Sequence, residues 1–152
     1  MPRSEITRLA VRAAAVLAAG WLSMAGAAEY RSVGADAAVL FDAPSAKARK
    51  LFVIGHGYPL EIVVIVEGWT KVRDANGDVT WIETRQLSDQ RTVMVTAPRA
   101  QVRQAADDGA PLVFEAQQSV LLELVGVAGA WLQVRHPDGL TGFVKASQVW
   151  GA

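Results

Sequence analysis

The stretch GWTKVRDANGDVTWI, starting at Gly68, returns as AWLQVRHPDGLTGFV, starting at Ala130, 62 positions further on (130 − 68). At that single shift the chain aligns with itself from Leu60 to Leu87 without a gap. Leu60, Glu61, Trp69, Val72, Arg73, Gly77 and Gln86 recur as Leu122, Glu123, Trp131, Val134, Arg135, Gly139 and Gln148. The accompanying swaps are conservative: Ile62/Leu124, Asn76/Asp138, Trp81/Phe143 and Ile82/Val144. Repetition at one fixed register marks two tandem copies of one supersecondary unit. The upstream parts of the copies, 39–59 and 101–121, keep the register with little identity.

Each copy reads as β. Leu60–Val66 (LEIVVIV) is a β-branched run bounded by Pro59 and Gly68, which predicts a buried strand rather than a helix. Its counterpart, Val120–Val127, is interrupted by Gly126. Two short strands follow in each copy, joined through Asn76-Gly77 and Asp138-Gly139. Such dipeptides supply the positive φ of tight hairpin turns. Alternation along a strand places Val72 with Thr70, and Val134 with Leu132, on one face, which should be the core. Trp69, Lys71 and Arg73 share the wetter face of copy one, and Trp131, Gln133 and Arg135 that of copy two. Residues 29–38 either stay loose or add an edge strand, and Val93–Val95 is expected to pair as a connecting strand. The charged stretch 46–50 is either a solvated loop tip or part of a binding groove. Its counterpart, 105–109, is acidic, so the two copies differ electrostatically.

The first residues read as an export leader, assigned to 1–28. Arg3, Arg8 and Arg12 make a positive start, Ala13–Leu22 a short apolar run, and Ser23–Ala28 small residues suited to cleavage after Ala27 or Ala28. That apolar run is shorter than the roughly 20 residues that span a bilayer, so no stable membrane insertion is expected after cleavage. The expected location is the periplasm or the exterior. Without the leader the chain keeps 12 basic (15 − 3) and 14 acidic (15 − 1) side chains. That near-balance argues against a nucleic-acid partner, which would call for a basic patch. There is no cysteine, so a disulfide, a thiolate nucleophile and a zinc–sulfur site are all excluded. An exported chain without disulfides must be held by apolar packing, and two small halves leaning on each other would help.

The hairpins GWTKVRDANGDVTWI and AWLQVRHPDGLTGFV, the following RQLSDQRTVMV and the closing QVWG at Gln148–Gly151 resemble the bacterial SH3 (SH3b) domain. The whole mature chain is similar to exported bacterial proteins with two such modules. The resemblance covers roughly 30–151 and implies an all-β chain of two tandem, small, SH3-like β-barrels, with modules at 29–90 and 91–152. The Asn-Val-Arg-x-Gly-Pro-like phrase that opens modules of this family is degraded here, to Val39–Pro44 and Gln101–Ala105. The family's Gly-Trp-Val glycine is Thr80 in copy one and Gly142 in copy two. Members are often appended to cell-wall enzymes as targeting modules, and some bind peptidoglycan peptides. The fold alone does not assign a function.

Catalytic chemistry is hard to find. Without cysteine, a hydrolase would need another nucleophile with a base in reach. The two histidines, His56 and His136, occupy non-equivalent repeat positions and read as turn residues. Asp74, Asn76 and Asp78 have the opening spacing of a calcium loop, but Arg85 stands where its last acid belongs, and turn chemistry explains them. Glu61 and Glu123 are one position seen twice. We therefore expect no enzyme, cofactor or metal. Recognition is the remaining function: Trp69, Trp131 and Tyr58 as aromatic platforms for peptide or sugar, with Arg73 and Arg135 for carboxylates. Trp81 and Phe143, beside the inward Ile82 and Val144, are expected to brace the barrel. Trp150 should close the seam between the modules. The expected partner is peptidoglycan or a wall-associated peptide. The alternative is another exported protein held by a composite two-module surface.

Overall fold

The computed structural model describes residues 26–152. The assigned leader, apart from its last three residues, lies outside the described residues. From Tyr30 onward the chain is a succession of short strands: β1 (Tyr30–Val33), β2 (Ala37–Phe41), β3 (Lys50–Gly55), β4 (Pro59–Val66), β5 (Trp69–Arg73), β6 (Val79–Glu83) and β7 (Leu87–Ser88). A second set follows: β8 (Thr92–Val95), β9 (Arg99–Arg103), β10 (Leu112–Gln117), β11 (Leu121–Ala128), β12 (Trp131–Arg135), β13 (Thr141–Lys145) and β14 (Val149–Trp150). Every bound in the second set is its counterpart in the first moved by 62, from β1 to β8 (92 − 30) through β7 to β14 (149 − 87). The repeat read in the hairpins thus extends through the upstream segments, where identity is low.

Each set forms one antiparallel sheet, in the order β3-β2-β6-β5-β4-β1-β7 and β10-β9-β13-β12-β11-β8-β14. The chain is all-β, with two small SH3-like modules in tandem. The segment 29–38 contributes β1, which is not an edge strand but lies between β4 and β7. Val93–Val95, expected to connect the modules, belongs to β8 and holds the same interior place in the second sheet. Residues 46–49 and 105–109 lie in the turns before β3 and β10, and Lys50 opens β3.

The inward valines behave as alternation requires. Val33, Leu40, Leu60, Val72 and Ile82 form the first core, and Val95, Val102, Leu122, Val134 and Val144 form the second at equivalent positions. Truncating a large member of such a core typically costs about 2–5 kcal/mol.

The expectation of a strand buried along Leu60–Val66 fails in its second half. Pro59 and Leu60 are buried, but Val63, Val64, Ile65 and Val66 are 41–49% exposed. Two features explain this. β1 reaches only to Glu61, so beyond it β4 is flanked by β5 alone. A bulge between Ile62 and Val64 also breaks the register, and the second module repeats it between Leu124 and Gly126. A bulge inserts an unpaired residue and bends the strand away from its earlier course.

The modules meet at a built seam. Thr92 Oγ1 donates to the Gly57 carbonyl at 2.6 Å, and on the first module's side Ser32 Oγ holds the Gln90 carbonyl at 2.6 Å, just before the boundary. Trp150 stands edge-on to Tyr30, with centroids 5.2 Å apart at 89°. Arg91 lies over the same tyrosine and donates to the Gly151 carbonyl. Gly151, at φ +115°, packs so closely that a Cβ there would lie 3.0 Å from Pro59 Cβ and 2.9 Å from the Thr92 carbonyl. Only glycine suits both that dihedral and that approach.

Candidate functional site

The outer face of β5 and β6 carries Trp69, Lys71 and Arg73 opposite Glu83, Trp81 and Val79. Trp81 therefore does not follow its neighbour Ile82 inward. Strand alternation puts it on the opposite face, half-buried beside Trp69, and Phe143 takes the same place in the second module. Both are half-buried on that face, Trp81 beneath Lys71. In the first module the face is an aromatic shelf. Trp69 meets the buried Phe41 edge-on at 5.3 Å, Phe41 pairs with Trp81 across β2 and β6, and Lys71 lies over the Trp81 ring.

The second module builds the same face with different chemistry. Arg103 stands where the first has Phe41 and pairs with Phe143. Lys145 lies over Trp131 at 5.6 Å and bonds Asp108 at 2.6 Å. Arg103 donates to the Gln101 side chain and to the Ala110 carbonyl. Trp131, Lys145, Arg103, Gln101, Asp108 and Gln148 enclose a shallow cup of about 40 Å³.

The tryptophan and arginine of one strand do not converge. Trp69 opens β5 and Arg73 closes it, four residues and about 13 Å apart at strand spacing. Arg73 Nη1 is 2.9 Å from both oxygens of Glu61, the cross-strand partner. Arg135 repeats the pairing with Glu123 through one oxygen at 3.0 Å. Tyr58 lies near the Arg73 end, half-buried against the first core. Burial pushes its phenol above the usual range, with Asp74 and Asp78 adding to the shift. Asp74 itself caps the hairpin turn, accepting from the Asn76 and Asp78 amides at 2.9 and 3.0 Å.

Reading the sequence passed over one feature. Arg135 lines a cleft of about 420 Å³ at the seam, together with His56 and Gly57 of the first module and Leu121, Glu123 and His136 of the second. His56 and His136 were read as unrelated turn residues because the repeat does not align them. They line one cleft only because the 55–58 turn of the first module docks against Thr92 and Leu121 of the second. Their one sequence signal was that both stand beside positive-φ glycine turns.

This bent, bulged, twice-repeated sheet with its indole-bearing outer face defines a small tandem β module. A family model described as a bacterial SH3 domain matches residues 34–89 and again 96–151, most of the chain. The chain belongs to the bacterial SH3 domain family. No curated protein matches it. Among solved structures it is similar to NlpC2 and NlpC1 from Trichomonas vaginalis, at 10% and 11% identity. The aligned region covers 81% and 84% of this chain and 48% and 47% of those, with TM-scores of 0.38 and 0.39. It is also similar to an NlpC/P60 family protein from Bacillus cereus, at 15% identity and TM-score 0.37, covering 80% of this chain and 56% of that one. The chain spans about half the length of these structures. No helix among the described residues is long and apolar enough to cross a membrane.

Proposed function

We propose that the protein is a non-catalytic, exported binding protein whose two modules, 29–90 and 91–152, recognise peptidoglycan or a wall-associated peptide. One observation carries this reading. Half-exposed indoles, Trp69 and Trp131, stand at equivalent outward positions, and each outer face also holds a lysine stacked on an indole. An aromatic surface beside a fixed cation can stack on a sugar or peptide plane and pair with a carboxylate. Arg73 and Arg135 extend each face at its far end. Family membership supports a wall-associated role, and the lack of cysteine removes a thiolate nucleophile. The test is retention of the mature chain on purified sacculi at low salt. Trp131→Ala should weaken retention about tenfold, the worth of one stacked aromatic. No retention of the unaltered chain would overturn the proposal.

A second reading is favoured by the difference between the two faces, Phe41 in one against Arg103 in the other, on modules fastened by the seam. Unequal faces held together suit one composite surface for another exported protein. Cross-linking in cells followed by mass spectrometry tests it, and recovery of wall fragments alone would count against it.

A further inference from the structure

The seam cleft is lined by one guanidinium, Arg135, and one acid, Glu123. Arg135 has five N–H donors, of which the Glu123 contact uses one, and its side chain remains 47% exposed. His56 Nδ1 lies 3.2 Å from the Gly34 carbonyl, which fixes the ring at the edge of the cleft. His136 Nδ1 is 2.9 Å from the Asp138 carboxylate. That carboxylate also accepts from the Leu140 amide, which keeps its own proton affinity low. Glu123 is the single acid lining the cleft, and it is already paired. Leu121, Leu122 and Pro137 supply an apolar wall. The volume, about 420 Å³, falls at the lower end of small-ligand pockets.

We propose that this cleft, at the Arg135 end of the second tryptophan face, is a further binding site, for the carboxylate end of a short peptide with small apolar side chains. Arg135 takes the carboxylate, and the leucine and proline wall takes the side chains. The two imidazoles border the site from opposite modules. The lining comes from both modules, with His56 and Gly57 facing the Arg135 side across the cleft.

The chain has only two histidines, and both line the cleft, so their ring-proton NMR signals report its occupancy directly. The mature chain is titrated at one pH with N-acetyl-alanyl-alanine, with its C-terminal amide and with inorganic phosphate. Each is taken to about 10 mM, above the millimolar range of weak association. The acid should move both histidine signals saturably, and the amide and phosphate should move them little. Arg135→Gln should abolish the shift, and Glu123→Gln, which removes the competing carboxylate, should tighten binding severalfold. Native signal dispersion of each variant shows that it is folded. Equal shifts with the amide, saturation by phosphate at lower concentration, or no shift with the acid would each overturn the proposal. Sacculus retention through Trp131 is a separate readout, so failure here leaves that reading standing.

Discussion

Thr92 Oγ1 donates a 2.6 Å hydrogen bond to the Gly57 carbonyl, tying the first strand of the second module to a turn of the first. Thr92 is buried, and in the first module its equivalent is Tyr30, which stacks on Trp150. One repeat position thus serves the seam twice, once by a directional bond and once by an aromatic edge.

Replacing Thr92 by Val keeps the shape and removes the donor. A buried acceptor left unmade costs about 1–3 kcal/mol. The denaturation midpoint should fall accordingly, and a transition that splits in two would show that this bond couples the modules. An unchanged midpoint would mean that the bond contributes nothing net.

Thr80 and Gly142 are the same position in the two copies, and they should respond oppositely to a change in size or polarity. Among the described residues Thr80 Oγ1 is buried without a partner, so Thr80→Val should be neutral or stabilising by up to about 1 kcal/mol. A Cβ at Gly142 would lie 2.6 Å from both the Arg103 carbonyl and Val102 Cγ1. Gly142→Ala should therefore cost about 1–3 kcal/mol as overpacking. Chemical denaturation of both variants checks the pair.

Trp150→Ala should destabilise the chain by about 3–5 kcal/mol if its ring is a structural part of the seam. A loss below 1 kcal/mol would show the Tyr30 contact to be incidental, since stacked pairs alone are worth about that much. Sacculus binding through the outward faces should survive in the folded fraction.

Both tyrosines have phenols raised above the usual value of 10.0, chiefly by burial, with Glu61 adding to the effect at Tyr30 and the Asp74/Asp78 pair at Tyr58. Between the unfolded value and the raised folded values, the native state binds more protons than the unfolded one. Stability should therefore be intact below pH 10 and fall as pH rises through the folded values. Denaturation midpoints across this range should drop for the unaltered chain and flatten in the Tyr30→Phe, Tyr58→Phe double variant. An identical decline in both would place the alkaline sensitivity elsewhere.

The duplication, the β class, the hairpin turns and the inward valines were all legible because each is local. A turn dihedral or a period of two is written into a few consecutive residues, and a repeat prints it twice. The same local rule applied strictly would also have turned Trp81 and Phe143 outward, since each sits one residue from an inward Ile82 or Val144. The exposed end of β4 was not legible. Its apolar composition matches that of a buried strand, and only the reach of β1 decides which half is covered.

Sequence alone determined what each half is: a short, antiparallel unit with an apolar inner face and an indole-bearing outer one. Tertiary structure alone decided what the halves make together. The docking of the His56–Gly57 turn against Thr92 and Leu121 creates a cleft from positions that no register aligns. Alternation and turn propensity act along the chain. The relative placement of two finished modules depends on contacts between surfaces, to which each copy's own pattern is blind.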